Sequence, residues 1–227
     1  TKMVAAGNDF VVIDNILGNY NLNDTAWRDL AIAVCADKYG LGTDGMLLLE
    51  KIPCADISMR IFNSDGTEAD MCGNGARCCA KYFDFYISSV KAGLIKIQTK
   101  AGNLEASVSG DMVKLKMSLP RGIKLNIPLT VGKAQYIVHH INTGVPHAVI
   151  FVKDLDKIDV NGLGSKIRNH QQFAPKGANV DFVKVLDKED IAVRTYERGV
   201  ESETLACGTG SVASALMYVL EACLRQP

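Results

Sequence analysis

Hydrophobic positions along the chain fall mostly in short runs rather than in long helical stripes. Phe10-Val11-Val12-Ile13, Met46-Leu47-Leu48-Leu49 and Ala148-Val149-Ile150-Phe151-Val152 are continuous apolar runs. Leu94-Ile95-Lys96-Ile97 and Val113-Lys114-Leu115-Lys116-Met117 alternate apolar with polar. Runs of this length predict strands, and Tyr136 to Val138, Phe182 to Val185 and Ile191 to Val193 add three more. Helical spacing is clear in three places. Thr25 to Tyr39 carries Leu30, Ala33, Val34 and Asp37 at helical intervals, with Gly40 as its stop. Ala76 to Phe85 and Ser211 to Leu224 are the others. Many short strands with few helices predict an α+β chain.

The pattern also repeats. Gly7 and Gly144 each open a strand-like run, at an offset of 137. Lys38-Tyr39-Gly40 before Asp44 matches Pro175-Lys176-Gly177 before Asp181 at the same offset of 137. Arg60-Ile61-Phe62-Asn63 matches Arg194-Thr195-Tyr196-Glu197 at 134, and Met71-Cys72-Gly73-Asn74-Gly75 matches Ala206-Cys207-Gly208-Thr209-Gly210 at 135. Glu68 and Glu203 each precede those cysteines by four residues. Four matches in one order at nearly one offset indicate duplication of half the chain. The expected boundary lies near Ser118 to Arg121, with Pro120-Arg121-Gly122 as a linker or turn. This gives two pseudo-symmetric domains, 1–118 and 119–227. Each is expected to be a β-rich, barrel-like sheet around one central helix.

Composition narrows the function. With 25 basic and 25 acidic residues the formal net charge is zero, which leaves no electrostatic footprint for nucleic acid or anionic lipid. No apolar run approaches the roughly 18 residues of a membrane span, and the start lacks the apolar core of a signal peptide. Seven cysteines, an odd number without a C-x-x-C pair, read as free thiols in a reducing cytoplasm.

Two of those cysteines carry the candidate chemistry. Cys-Gly-x-Gly occurs twice, each time after a strand and before an Ala-rich helix. Glycine lets the backbone approach a ligand. The first N–H groups of a helix lack internal partners and attract anions. The same field is expected to lower the thiol pKa from about 8.5. Each loop thus offers a thiol beside a nest for a carboxylate. Two equivalent thiols facing one anion site suit stereoinversion at a carbon next to a carboxylate. One thiolate removes a proton from one face and the other thiol delivers one to the opposite face. The helix starts stabilise the enolate-like intermediate, and no cofactor or metal is required.

Met71 to Cys78 and Glu203 to Gly210 resemble the two signatures of the diaminopimelate epimerase family. So do Gly7-Asn8-Asp9-Phe10, Arg60 to Gly66, Pro146-His147, Gly177 to Val180 and Tyr196-Glu197-Arg198-Gly199. The resemblance runs in order through both halves, from residue 7 to residue 215. Related proline and hydroxyproline racemases usually carry His where Asn74 stands, and phenazine-type isomerases of this fold lack the cysteines. The resemblance implies interconversion of L,L- and meso-diaminopimelate, in lysine and cell-wall precursor synthesis, without pyridoxal phosphate. It implies Cys72 and Cys207 as the acid–base thiols, with His147 and Glu197 beside them as tuning groups. Asn8, Asn63, Asn179, Glu197 and Arg198 would contact the small-molecule substrate. Gly73-Asn74 and Gly208-Thr209 would bind it through the two helix starts. A cytoplasmic homodimer with its active site in the cleft between domains is further implied.

Some positions depart from that pattern. Ala6 precedes Gly7 where the family usually has His. Val145 stands where an Asn usually precedes Pro-His and touches substrate. The Glu197 to Cys207 segment is one residue longer than in many members. The chain ends soon after the second cysteine helix, where relatives continue with several strands, so either the sequence is shortened there or those strands are absent. Three other readings compete. One is a racemase of another amino acid, such as histidine, glutamate or proline. Another is a thiol redox or cysteine–histidine transfer protein using Cys72 and His147. The third is a non-catalytic amino-acid-binding module. The last two leave the paired thiols unexplained.

Overall fold

A computed structural model describes residues 1–88, 93–117 and 119–224. The chain divides into two compact units, Thr1–Met117 and Ser118–Pro227. Of the expected boundary, Ser118 lies outside the described residues. Arg121 and Gly122 are not a linker, because they open a long strand.

The first unit holds strands β1 (Lys2–Ala5), β2 (Asn8–Asn15), β3 (Gly45–Glu50), β4 (Ile57–Asn63), β5 (Glu68–Ala69), β6 (Leu94–Thr99), β7 (Gly102–Ser109) and β8 (Met112–Lys116). They form one sheet in the order β1-β2-β3-β4-β6-β7-β8, with β5 on β4. Helix α1 (Asp24–Cys35) covers one face and α2 (Gly73–Tyr82) the other. Helix α2 touches both edge strands, β1 and β8, so the sheet curls around it. Strand β3 explains its own unbroken apolar run. Met46 and Leu48 pack with Trp27, Ala31 and Cys35 of α1, while Leu47 and Leu49 pack with Ala76, Cys79 and Ala80 of α2. A strand covered on both faces alternates direction without alternating polarity.

The second unit repeats the plan with β9 (Arg121–Val131), β10 (Ala134–Asn142), β11 (Pro146–Phe151), β12 (Asn179–Val185), β13 (Ile191–Glu197) and β14 (Ser202–Thr204). Their order is β14-β13-β12-β11-β10-β9. Helix α3 (Val160–Arg168) packs on β12 to β14, and α4 (Gly208–Leu224) on β10 to β13. The pairings match strand for strand. In each unit an antiparallel pair leads into a parallel pair, then two antiparallel pairs, then the helix that follows the cysteine. The ion pairs match too. Arg60 Nε lies 2.9 Å from Glu68 Oε1, and Arg194 Nε lies 2.6 Å from Glu203 Oε1.

Register corrects one element of the repeat. Phe10 pairs with Gly45 and His147 with Asn179. Leu48 pairs with Arg60 and Phe182 with Arg194. Leu47, not Asp44, is therefore the counterpart of Asp181, because the loops before β3 and β12 differ in length.

The helices also depart from their expected bounds. Helix α1 stops at Cys35 rather than Tyr39, because the chain folds back and Gly40 and Leu41 donate to the carbonyls of Ala36 and Val34. Helices α2 and α4 begin at Gly73 and Gly208, earlier than apolar spacing suggests. Helix α2 gives way after Tyr82 to a π-helical turn, Phe83–Ile87. Helix α3 has no strong apolar period, since Gly162 and Gly164 interrupt it. It forms because the Asp159 side chain caps it, accepting from Gly162 N–H, and because Gly164 lets it lie against Tyr196.

Candidate active site

In the first unit the site is built at the start of α2. Cys72 is the N-cap residue, its Sγ accepting from the Gly75 N–H at 3.4 Å. Asn8 reaches it from β2, with Oδ1 3.9 Å from the sulfur. Asn8 is itself held by Asp44, whose Oδ2 accepts from Asn8 Nδ2 at 2.6 Å and from the Asp9 N–H at 3.0 Å. The Ala6-Gly7 turn that presents Asn8 has positive φ at both residues, 52° and 82°. This is the pattern of a two-residue hairpin turn, for which glycine is the favoured second residue. Gly73, Asn74 and Gly75 are buried. Asn74 accepts from Arg77 through Oδ1. Asn63 lies at the end of β4, its Nδ2 donating to Thr67 Oγ1 at 2.9 Å.

In the second unit the start of α4 holds Cys207, Gly208 and Thr209, and the Cys207 carbonyl accepts from the Ser211 N–H. Glu197, at the end of β13, accepts from Thr204 Oγ1 at 2.7 Å and hydrogen-bonds the Cys207 thiol. Burial raises the Glu197 pKa above the ordinary carboxylate value. Asn179 turns its side chain onto the protein, with Oδ1 accepting from the Arg198 N–H at 2.8 Å and Nδ2 facing the Pro146 carbonyl at 3.3 Å. His147 is fully buried. Its Nδ1 lies 2.7 Å from Asp181 Oδ2 and its Nε2 2.9 Å from Thr209 Oγ1, which in turn is 3.4 Å from Cys207 Sγ. Thr143, also buried, donates to the Thr209 carbonyl at 3.0 Å and fixes that turn.

The expectation that a helix start would lower the thiol pKa is reversed at Cys207. Burial pushes this thiol well up, and the Glu197 and Asp181 carboxylates push the same way. Contacts with the Thr209 hydroxyl and the Gly210 N–H oppose them but are weaker. Desolvation and two like charges outweigh one helix end.

The sequence-predicted residues thus gather into two clusters, Cys72 with Asn8, Gly73 and Asn74, and Cys207 with His147, Asn179, Glu197, Arg198, Gly208 and Thr209. Asn63 stands apart on its own bond to Thr67. Thr143 was not singled out, and Asp44, Asp181 and Thr195 served only within the repeat. The available signal was Asp181 itself, a carboxylate in the middle of the apolar run Asn179-Val180-Asp181-Phe182-Val183. Among the described residues no group of three or more His, Cys, Asp or Glu could hold a metal ion, and no helix is long and apolar enough to cross a membrane.

A chain of two duplicated α+β units, each with a cysteine at the start of the helix that closes the repeat, has the two-domain α+β fold of the proline racemase and PhzF type. The hydroxyproline epimerase of Agrobacterium vitis superposes with a TM-score of 0.68 over 100% of this chain and 77% of its own, at 18% identity. The phenazine biosynthesis protein of the PhzF family from Bacillus anthracis gives 0.66 over 93% and 74%, at 20% identity. These two establish the fold. The diaminopimelate epimerase family model matches residues 1–121 and 139–226. Diaminopimelate epimerase of Aquifex aeolicus is 40% identical over 99% of this chain and 82% of its own length. That of Archaeoglobus fulgidus is 44% identical over 95% and 79%. The chain belongs to the diaminopimelate epimerase family, and it is an isomerase.

Proposed function

We propose that this protein interconverts L,L- and meso-diaminopimelate by a two-base reaction that uses Cys72 and Cys207 and no cofactor. The observation that carries the reading is the twin placement of the thiols. Each caps the helix at the same point of a duplicated unit, beside backbone N–H groups suited to a carboxylate. Inversion requires a sulfur on each face of one α-carbon. A thiolate takes the α-proton, negative charge spreads into the adjacent carboxylate, and the opposite thiol supplies a proton. Gly73-Asn74 and Gly208-Thr209 would hold that carboxylate, with Asn8, Asn63, Asn179 and Arg198 as further substrate contacts. Cys207, kept protonated by its surroundings, is suited to be the donor at rest.

The test is incubation of L,L-diaminopimelate in D2O, following configuration and deuterium at the α-carbon. The wild-type protein should invert the centre and place deuterium there. Cys72→Ala and Cys207→Ala should each lower epimerisation by about a thousandfold or more, since general acid–base groups contribute roughly 10²–10⁴-fold apiece. Near-normal epimerisation by either variant would remove the two-thiol mechanism. Faster inversion of glutamate, histidine or proline would move the substrate assignment instead.

A further inference from the structure

The two units differ where their first parallel pair of strands begins. Phe10 pairs with Gly45 and His147 with Asn179, which makes Val145 the counterpart of Asn8 and Ala178 the counterpart of Asp44. The second unit thus builds the same parallel pair with two apolar residues at these positions. The fold does not require the polar pair, and the polar pair has a specific geometry. Asp44 Oδ2 accepts from Asn8 Nδ2 at 2.6 Å and from the Asp9 N–H at 3.0 Å. The Asp44 N–H donates back to Asp9 Oδ1 at 3.0 Å, and Lys2 Nζ lies 2.7 Å from Asp9 Oδ2. A carboxylate accepts and cannot donate, so the end of the Asn8 amide that meets Asp44 is its NH2. Oδ1 is then the end 3.9 Å from the Cys72 sulfur, where it accepts from the thiol.

We propose that Asp44 is a positioning residue: by accepting from the Asn8 NH2 it keeps the Asn8 carbonyl turned to Cys72, and so holds the proton on that thiol in the free protein. An amide oxygen serves the S–H and repels a thiolate, whereas an amide N–H would serve the thiolate. The Gly75 N–H, 3.4 Å from the sulfur, favours the thiolate, and Asn8 opposes it. Turning the Asn8 amide over would set its oxygen against the Asp44 carboxylate, acceptor against acceptor. The Asp44 charge acts in the same direction, but Asp44 is exposed and its charge is screened by solvent. The orienting bond is therefore the larger effect. The charged and titratable groups on the elements around Cys72 are Lys2 on β1, Asp9 on β2, Asp44 before β3, Glu68 on β5 with Arg60, Asp70 with Lys100, and Arg77, Cys78 and Cys79 on α2.

This inference rests on the reading of Cys72 as an acid–base thiol, but its test does not require turnover. Iodoacetamide alkylation of the protein, resolved by peptide mass mapping from pH 6 to 10, reports the thiolate at Cys72, with the exposed Cys54 of the same unit as internal reference. Asp44→Ala introduces the residue that the second unit carries at this position, and it frees the Asn8 amide to turn. It should move the Cys72 midpoint about one pH unit lower, which is tenfold more thiolate below the midpoint. Alkylation at pH 7 should rise only about threefold, because a thiolate of lower pKa is a weaker nucleophile. Asp44→Asn removes the charge but can place its amide oxygen where Oδ2 stands, keeping both bonds. It should move the midpoint less than half as far. If Asp44→Ala fails to fold, Asn8→Ala decides, since losing the acceptor should itself lower the Cys72 midpoint. An unmoved midpoint, equal shifts in Asp44→Ala and Asp44→Asn, or a Cys54 profile that moves with that of Cys72 would overturn the proposal. Absence of diaminopimelate epimerisation, with the alkylation shifts as expected, would overturn the substrate assignment and leave the role of Asp44 standing.

Discussion

At the residue scale, Glu197 is where the proposed function and stability pull apart. Burial raises its pKa, so the folded state favours the protonated form more than the unfolded chain does. The sign follows from linkage. The unfolded chain binds fewer protons than the native one near the raised pKa, so stability falls as pH rises through it. At neutral pH the ionised carboxylate opposes folding. Glu197→Gln should therefore raise Tm or leave it unchanged at pH 7 to 8, while cutting epimerisation at least about tenfold. Thermal melts at pH 5 and pH 8 beside activity assays check this. A clear drop in Tm at pH 8 would show that its bonds to Thr204 and Cys207 outweigh its desolvation. Cys72 and Cys207 were legible because glycines at fixed spacing mark the two helix starts. Asp181 was not, since its partner His147 lies 34 positions away in sequence and only the parallel pairing of β11 with β12 brings them together.

At the element scale, glycine decides where helix α3 sits. In α3 a Cβ on Gly164 would lie 2.6 Å from Tyr196 Cβ, an atom fixed to the β13 backbone. Two effects compete in Gly164→Ala. Helix propensity gains about 1 kcal/mol. Forcing a methyl into a closed contact costs roughly 1–3 kcal/mol. Because the struck atom cannot swing away, the steric effect should win, and the urea midpoint should fall. A midpoint that rises would mean α3 can slide off β13. The same glycines hid α3 from the sequence, where propensity argues against a helix that tertiary packing forms. The helix starts at Gly73 and Gly208 were placed late for the same reason. Strand β3 was legible as a strand, although its period was not, because both faces are covered.

At the scale of the whole molecule, duplication supplies two equivalently placed thiols, which the proposed reaction would use one on each face, and the second unit then departs from the first. The proposed two-thiol mechanism carries a redox consequence. Sulfurs that must reach opposite sides of one carbon can also reach each other, and dioxygen with trace metal can accept the two electrons of a disulfide. Air-oxidised protein is expected to lose epimerisation, to show a Cys72–Cys207 linkage by non-reducing mass mapping, and to recover with dithiothreitol. An oxidised, inactive sample with both thiols free would contradict it. Cys78 and Cys79 should stay unreacted, since burial pushes the Cys78 thiol up to about 12 and the Cys79 thiol well above its ordinary value.

The sequence by itself determined the strand-rich character, the duplication, the two cysteine loops and the family motifs, because each is written in local order: apolar runs, glycine positions and short words repeated at one spacing. Only the tertiary structure decided which residues lie beneath each cysteine. Strand register moved the counterpart of Asp181 from Asp44 to Leu47, and burial turned the expected low pKa of Cys207 into a raised one. Both depend on loop length and on desolvation by residues distant in sequence, and neither quantity is carried by any single segment of the chain.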